Sequence, residues 1–432
     1  MKSIKVGLLG LGVVGTGTWR VLSRNIDEIY RRTNRYIEIT DIAVRNVDKA
    51  YSRIGNKIPI SNDAYKLVND PKIDIIVELI GGNTLDLTLA AISNGKHIVT
   101  ANKDLLAKHG NEIFLAASKH GVIVGFEAAV CGGVPIIKAM RESLTANRIQ
   151  WLAGIVNGTT NFILSEMRSR TLPFLEVLCE AQRLGYAESD PTFDIEGIDS
   201  ANKATLLSAL AFGIPLQFEK VHIEGISNLA QEDILYAEKL GYRIKLLAIT
   251  KRVYNGIEIR VHPALIPINH LLSNVEGAMN AVIVHGDIVG STIYYGQGAG
   301  AQPTASSVVA DLVDIVRLYS ANPLHCIPHL GFQSNSLSDL KILPIEKIST
   351  SYYLRLSVED LPGVLADVAL VLASSSISIN SMFQEPSINK CSDIIFLTHK
   401  SIEENINLAI KNIESLRFVR SKVTRLRMEN LV

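Results

Sequence analysis

The segment EGIDSANKATLLSALAFG, residues 196–213, holds two residues whose types could do chemistry together. Asp199 and Lys203 stand four apart, so on a helix they share a face. Leu206, Leu207 and Leu210 fall three, four and seven positions after Lys203, which makes that face the core-facing one. A lysine there has three readings. It snorkels its ammonium to water, it pairs with Asp199 to hold the helix, or it carries a proton at the edge of a pocket. The first two are the commoner uses of such a residue, and the segment alone does not choose.

The stretch GLGVVG is the second candidate. It puts Gly10, Gly12 and Gly15 on the GxGxxG pattern, with Val13 and Val14 between the last two glycines. The apolar run IKVGLL (4–9) precedes it and a helical stretch follows, which is the context a dinucleotide fingerprint requires. Without side chains, Gly10 and Gly12 let the backbone approach a pyrophosphate. Gly15 lets helix and strand pack closely, and the helix N-terminus faces the anion. In the NAD form an acid closes the second strand. Here the strand DIAV ends in Arg45, with Lys49 nearby. A guanidinium suits a 2′-phosphate; a solvated surface arginine is the plain alternative. The residues lean to NADP and leave NAD open.

These residues need a scaffold. Apolar runs at 4–9, 36–44, 73–81, 97–101 and 122–130 read as strands, separated by helical stretches that include 84–94 and 104–120. Alternation of this kind predicts an α/β Rossmann-type parallel sheet over residues 1–130, completed by a helix near 300–320. Residues 131–300 read as an α+β domain with an antiparallel sheet. Pro323, Pro328 and Pro344, with glycine, asparagine and serines, mark 321–350 as a linker. Residues 351–432 then run strand, helix, strand, strand, helix, strand, a ferredoxin-like βαββαβ order. The linker predicts that this last unit is a separable core whose deletion leaves a folded enzyme.

Composition narrows the classes. Of 432 residues 47% are hydrophobic and 20% charged, a globular profile. Lysine plus arginine equals aspartate plus glutamate at 43 each, which speaks against nucleic acid or a membrane surface as partner. Residues 1–5 run straight into a strand, and the longest apolar stretch, 204–216, is too short and broken to span a bilayer. Cys131, Cys179, Cys326 and Cys391 are far apart and form no CxxC pair, so reduced thiols, a cytoplasmic setting and no zinc site are expected.

Four strings now resemble one family. VTANK (99–103), NGTTNFIL (157–164), LGYAESDPTFDIEGIDSANK (184–203) and GQGAGAQPTASSVVADL (296–312) are similar to homoserine dehydrogenase. With the N-terminal fingerprint they run through about three-quarters of the chain. The last quarter, with DLPGVLA (360–366), resembles an ACT domain. No aspartate kinase region precedes the fingerprint, as in the monofunctional form. The resemblance implies interconversion of L-aspartate 4-semialdehyde and L-homoserine with NADP or NAD, on the route to threonine and methionine. It implies that Lys203 exchanges a proton with the substrate oxygen, and that Lys103 is a second lysine where nicotinamide and substrate meet. Glu188 and Asp199 would hold the substrate, with Asp194, Tyr186, Gly158 and Thr159 around it. Thr100, Gly185 and Gly300 would touch the cofactor. EAAVCGGV resembles a loop that binds a monovalent cation, sodium in the family, through the carbonyls of Glu127, Val130, Gly132 and Val134. Cys131 departs from that loop's chemistry and reads as a small buried residue. The resemblance also implies a homodimer or homotetramer, and an amino-acid effector at the ACT-like unit.

Elementary chemistry agrees with the role of Lys203. Reducing an aldehyde delivers hydride to carbon and a proton to oxygen, and a partly desolvated lysine gives up its proton more readily. Asp199 would oppose that, so it is expected to face the substrate's ammonium instead. Two other readings remain: a dehydrogenase of a related amino-acid aldehyde, and an amino-acid-sensing regulatory protein with a dead site. The presence of both Lys103 and Lys203 speaks against the second.

Overall fold

In a computed structural model of the chain, residues 3–319, 326–385 and 391–431 are described. The chain splits into two compact units. Met1–Gly158, Ile198–Val221 and Ala278–Leu340 form the first; Thr159–Gly197, His222–Gly277 and Lys341–Val432 form the second.

The first unit is built on six parallel strands: β1 (Ile4–Leu9), β2 (Ile37–Ala43), β3 (Ile60–Ser61), β4 (Ile75–Glu78), β5 (His97–Thr100) and β6 (Val124–Gly125). Their order is β3-β2-β1-β4-β5-β6, the Rossmann order, which reverses direction between β1 and β4. Runs such as IIVE and HIVT are buried because helices cover both faces of a parallel sheet. Those helices are α1 (Val13–Arg24), α2 (Ile26–Thr33), α3 (Val47–Ile54), α4 (Ala64–Asn69), α5 (Leu85–Ser93) and α6 (Lys103–His120). A later helix, α13 (Ala301–Leu318), inserts Ala305, Val308 and Leu312 into the same core. It lies so close to α1 that a Cβ on Gly17 would collide with the Ala301 carbonyl.

Strand β6 is shorter than the apolar run 122–130 suggests. Glu127–Ala129 form a 3-10 turn instead. The Glu127 carboxylate folds the chain back, accepting from the Ile137 N–H at 2.9 Å and the Lys138 N–H at 2.8 Å. Those residues open α7 (Ile136–Lys138), which continues as a wider π turn over Ala139–Ser143. The unit also holds three antiparallel strands. β11 (Met279–Gly286) pairs with both β7 (Ile149–Ile155) and β12 (Gly290–Gln297). With them is α11 (Ile198–Phe212), which is buried on every side from Asp199 to Phe212 rather than amphipathic.

The second unit contains α8 (Gly158–Arg170, its first residue belonging to the first unit), α9 (Phe174–Leu184), α10 (Thr192–Ile195) and α12 (Gln231–Lys239). β9 (Tyr242–Val253) and β10 (Gly256–Pro267) form a long hairpin, and the short β8 (His222–Ile223) pairs with β10. The βαββαβ order follows: β13 (Ser349–Glu359), α14 (Val364–Ser374), β14 (Ile379–Gln384), β15 (Cys391–Thr398), α15 (Glu403–Glu414) and β17 (Thr424–Met428), with β16 (Ser401–Ile402) beside β13. Sheet order β17-β13-β15-β14 is ferredoxin-like.

Residues 352–423 pack a hydrophobic core of their own, from Tyr352, Leu354 and Phe396 to Ile406 and Ile413, and the chain after 340 is also tied to the rest of the second unit. β17 pairs in parallel with β10, and Lys341 and Leu343 bond the backbone of Ile257. Two ion pairs, each with one fully buried member, make the attachment. Arg355 forks onto Asp233 of α12 at 2.6 and 2.9 Å, and Arg427 of β17 reaches Glu224 at 2.8 Å. The expected linker therefore ends in structured chain, and Ser349–Thr350 already belong to β13. Its residues 321–325, Pro323 among them, lie outside the described residues. Among the described residues no helix is long and apolar enough to cross a membrane.

Candidate active site

Lys203 is 8% exposed on a helix with no solvent face, so snorkelling is excluded. Its ammonium donates to Asp199 Oδ2 and to the carbonyl of Val156, just past β7, each at 2.6 Å. Lys103 Nζ stands 3.3 Å from the other oxygen, Asp199 Oδ1. Asn157 Nδ2 donates to Oδ2 at 2.8 Å. One buried carboxylate thus bridges two lysines. Burial pushes the Asp199 carboxyl up, but the two ammonium groups and these hydrogen bonds outweigh it and hold it down at about 2. In this structure Asp199 faces the two lysines. A buried carboxylate without a cation is costly, and the helical spacing puts Lys203 within reach.

Lys103 comes from the first turn of α6. Asn102 caps that helix, accepting from the Leu105 N–H at 3.1 Å while its Nδ2 donates to the Gly82 carbonyl at 2.9 Å. Cys131 is buried beside this cluster, and burial pushes its thiol up to about 11. Gly158, which follows Asn157, cannot carry a side chain, since a Cβ would lie 2.7 Å from the Ala278 carbonyl.

The glycines of GLGVVG divide their labour. Gly10 has φ +96°, and a Cβ there would lie 2.8 Å from the Leu79 carbonyl. A Cβ on Gly15 would collide with the Gly10 carbonyl. Only Gly12 has open space where a Cβ would stand, and it is the N-cap of α1 with no side chain capping it. Open space and an uncapped helix start fit a pyrophosphate at Gly12. Val13 beside it is 67% exposed. Arg45 follows β2, is exposed, and makes no ion pair among the described residues. Arg53 of α3, not singled out in the sequence, donates to the Leu11 carbonyl inside the turn.

Thr100 is buried at the end of β5 and donates to Glu78 Oε2 at 2.7 Å, while its Oγ1 accepts from the Asn102 N–H at 2.9 Å. Glu78, also missed in the sequence, has its carboxyl pushed up by burial. Gly300, at φ +123°, is the N-cap of α13. Glu78 and Asn157 gave no signal of their own, because a single acid or amide on an apolar strand end has no periodicity.

In the second unit, Thr159 Oγ1 donates to the Tyr186 carbonyl at 2.7 Å, and the Phe162 and Tyr186 rings lie 4.8 Å apart. This ties the first turn of α8 to the turn that begins with Gly185 after α9. Glu188 is exposed in that turn, its carbonyl accepting from Gln182 Nε2 at 3.1 Å. Asp194 is half-buried in α10.

The loop 127–134 offers main-chain oxygen. Glu127, Val130, Gly132 and Val134 are all buried. Three of their carbonyls accept one hydrogen bond each: Glu127 from Val130 N–H, Gly132 from Ser307 Oγ and Val134 from Ile136 N–H. A carbonyl has two lone pairs, so each keeps capacity for a hard cation. Among the described residues no group of three or more His, Cys, Asp or Glu could hold a metal.

Family comparisons agree along the chain. A model described as homoserine dehydrogenase matches residues 135–313, one described as its NAD-binding domain matches 10–127, and an ACT domain matches 352–418. A homoserine dehydrogenase of Pseudomonas aeruginosa is 55% identical over the full length of both chains. The crystal structure of a homoserine dehydrogenase from Thiobacillus denitrificans is 60% identical, with TM-score 0.96, over 100% of this chain and 99% of that one. A hyperthermophilic archaeal homoserine dehydrogenase mutant in complex with NADPH is 25% identical, with TM-score 0.63, over 74% of this chain and 99% of that one. The chain therefore belongs to the homoserine dehydrogenase family, NAD(P)-dependent oxidoreductases that interconvert L-aspartate 4-semialdehyde and L-homoserine.

Proposed function

We propose that Lys203 is the group that exchanges a proton with the substrate oxygen during this reaction. The observation that carries the reading is the buried Asp199 carboxylate shared by Lys203 and Lys103. The anion holds the Lys203 ammonium in place, and Lys103 supplies a second positive charge where alkoxide character develops on oxygen. A bound nicotinamide supplies or takes the hydride at the substrate carbon. In the reducing direction Lys203 gives its proton to the oxygen; in the oxidising direction neutral Lys203 takes it back. Glu188 and Asp194 offer carboxylates for the amino acid's ammonium, with Thr159, Tyr186 and Gly158 shaping its surroundings. Turnover of homoserine, with each cofactor in turn, followed by nicotinamide absorbance, tests the activity.

Gly10, Gly12, Val13, Val14 and Gly15 would hold the pyrophosphate, with Thr100, Lys103, Gly185 and Gly300 along the rest of the cofactor. NADP is the preferred form on this reading, because Arg45 stands two residues past β2 as an exposed cation and the archaeal relative was solved with NADPH. Arg45→Ala should raise KM for NADP+ about tenfold and leave that for NAD+ within about threefold, as for one charge-assisted contact. Equal changes for both cofactors would remove Arg45 from the phosphate.

The carbonyls of Glu127, Val130, Gly132 and Val134 would take a monovalent cation, sodium by family resemblance. The small domain would take an amino-acid effector at a cavity of about 320 Å³ lined by Glu359, Asp360, Gly363 and Gln384. We place the enzyme in the cytoplasm as a homodimer or homotetramer. Melting curves of the full chain test both ligands: sodium in place of tetramethylammonium should raise Tm, and so should threonine or methionine. A Tm that ignores either addition rejects that ligand.

A further inference from the structure

Among the groups that hold Lys203 is a backbone carbonyl, which something must hold in turn. The Val156 carbonyl accepts from Lys203 Nζ at 2.6 Å and from Asn280 Nδ2 at 2.9 Å. A carbonyl oxygen has two lone pairs, and these two donors use both. Asn280 lies on β11, is 1% exposed, and stands where the next residue, Ala281, pairs with Ile155 of β7. Its amide plane is locked from the far side. A Cβ on Gly298 would collide with the Asn280 amide carbon and nitrogen, so the backbone just past β12 lies flat against it. The Asn280 Oδ1 atom is buried without a hydrogen-bond partner.

We infer that Asn280 is a positioning residue for the proton-carrying lysine: it fixes the direction of the Val156 carbonyl, and that carbonyl fixes Lys203. The inference rests on the proton-carrying role proposed for Lys203 and extends it to a residue on another strand. Three titratable side chains share the neighbourhood: Asp199 on the lysine's own helix, Lys103 at the start of α6, and Cys131 in the loop before α7. Asn280 adds no charge to them, so its effect runs through geometry.

Two substitutions at this position have opposite signs. Asn280→Leu removes the donor, and the Val156 carbonyl loses its fixed direction. An acceptor favours the charged ammonium, so loosening it eases proton release. Asn280→Asp puts a carboxylate beside that carbonyl and favours the ammonium. Homoserine oxidation needs neutral Lys203 to accept the proton, so activity rises with pH through the limb that reports it. That limb should move to lower pH in Asn280→Leu and to higher pH in Asn280→Asp. In Asn280→Leu, kcat should fall about tenfold to a hundredfold, the cost of misplacing a reacting group by about an ångström, with KM for cofactor within about twofold.

The experiment is a set of pH–rate profiles on the full chain for wild type, Asn280→Leu, Asn280→Asp, Asn280→Ser and Lys203→Ala, with a melting curve for each. A merely structural asparagine would lower Tm and leave the limb in place in every folded variant. An unmoved limb, with kcat of Asn280→Leu within about threefold of wild type, overturns the inference. Should the leucine variant not fold, the aspartate and serine variants decide by the same limb. A Lys203→Ala variant that keeps its kcat would sink the lysine reading itself, whereas an inactive one beside a normal Asn280→Leu sinks only the role of Asn280.

Discussion

Lys203→Ala should lower kcat for homoserine oxidation by at least about a hundredfold, within the range of about 10²–10⁴ that positioned proton transfer supplies. Cofactor Kd should barely change, because the pyrophosphate is assigned to the Gly10–Gly15 turn. The pH–rate limb that reports the lysine should disappear. The pairing with Asp199 complicates stability, since alanine leaves the carboxylate with Lys103 and Asn157 as its remaining named partners. A fall in Tm is therefore expected as well and does not by itself decide the role. The deciding quantity is kcat of the folded protein, measured with cofactor Kd and Tm on one preparation. A kcat within about fivefold of wild type would make Lys203 structural, and the proton carrier would then be sought at Lys103.

Arg355→Met should produce the largest loss of stability. Asp233 is 1% exposed, and Arg355 is its bidentate partner. Removing the guanidinium leaves the Tyr353 hydroxyl, at 3.0 Å, as the remaining named donor to a buried carboxylate. Breaking such a pair costs about 3–5 kcal/mol, which lowers Tm on the order of ten degrees in a unit of this size. Asp233→Asn in the same chain should restore part of the loss, because the stranded charge goes while the hydrogen bond to Tyr353 can remain. Calorimetry on the single and double variants measures both. A Tm change under about two degrees would mean that water already solvates Asp233. Deleting residues 352–432 removes Arg355 from Asp233, Arg427 from Glu224 and β17 from β10 at one stroke. The truncated chain is thus expected to be less stable and prone to aggregate along the exposed edge of β10.

The local features of this chain were legible because their physics is local. A strand, three glycines and a helix start lie within about a dozen residues, so GLGVVG could be read without the fold. The four-residue spacing of Asp199 and Lys203 fixes their proximity on any helix, and the ion pair follows. Alternating strands and helices announced the parallel sheet, and the final βαββαβ order announced the small domain. Periodicity failed on α11. Alanine, serine and threonine fit a core as readily as a half-exposed face, so a helix buried on all sides resembled an amphipathic one.

The amino-acid sequence by itself determined the nucleotide turn, the order of the elements, and the residue types that meet at Lys203. Only the tertiary structure decided that Asp199 faces two lysines, since Lys103 arrives from a helix far off in the chain. It alone decided that Val156 and Asn280 stand behind Lys203, because the pairing of β7 with β11 is what brings that carbonyl and that amide to the helix. And it decided that the small domain is tied to β10 and α12 rather than set apart. The physical reason is common to all three. Contacts within a few residues follow from backbone geometry, whereas a buried charge or carbonyl finds its partner only when distant segments are brought together.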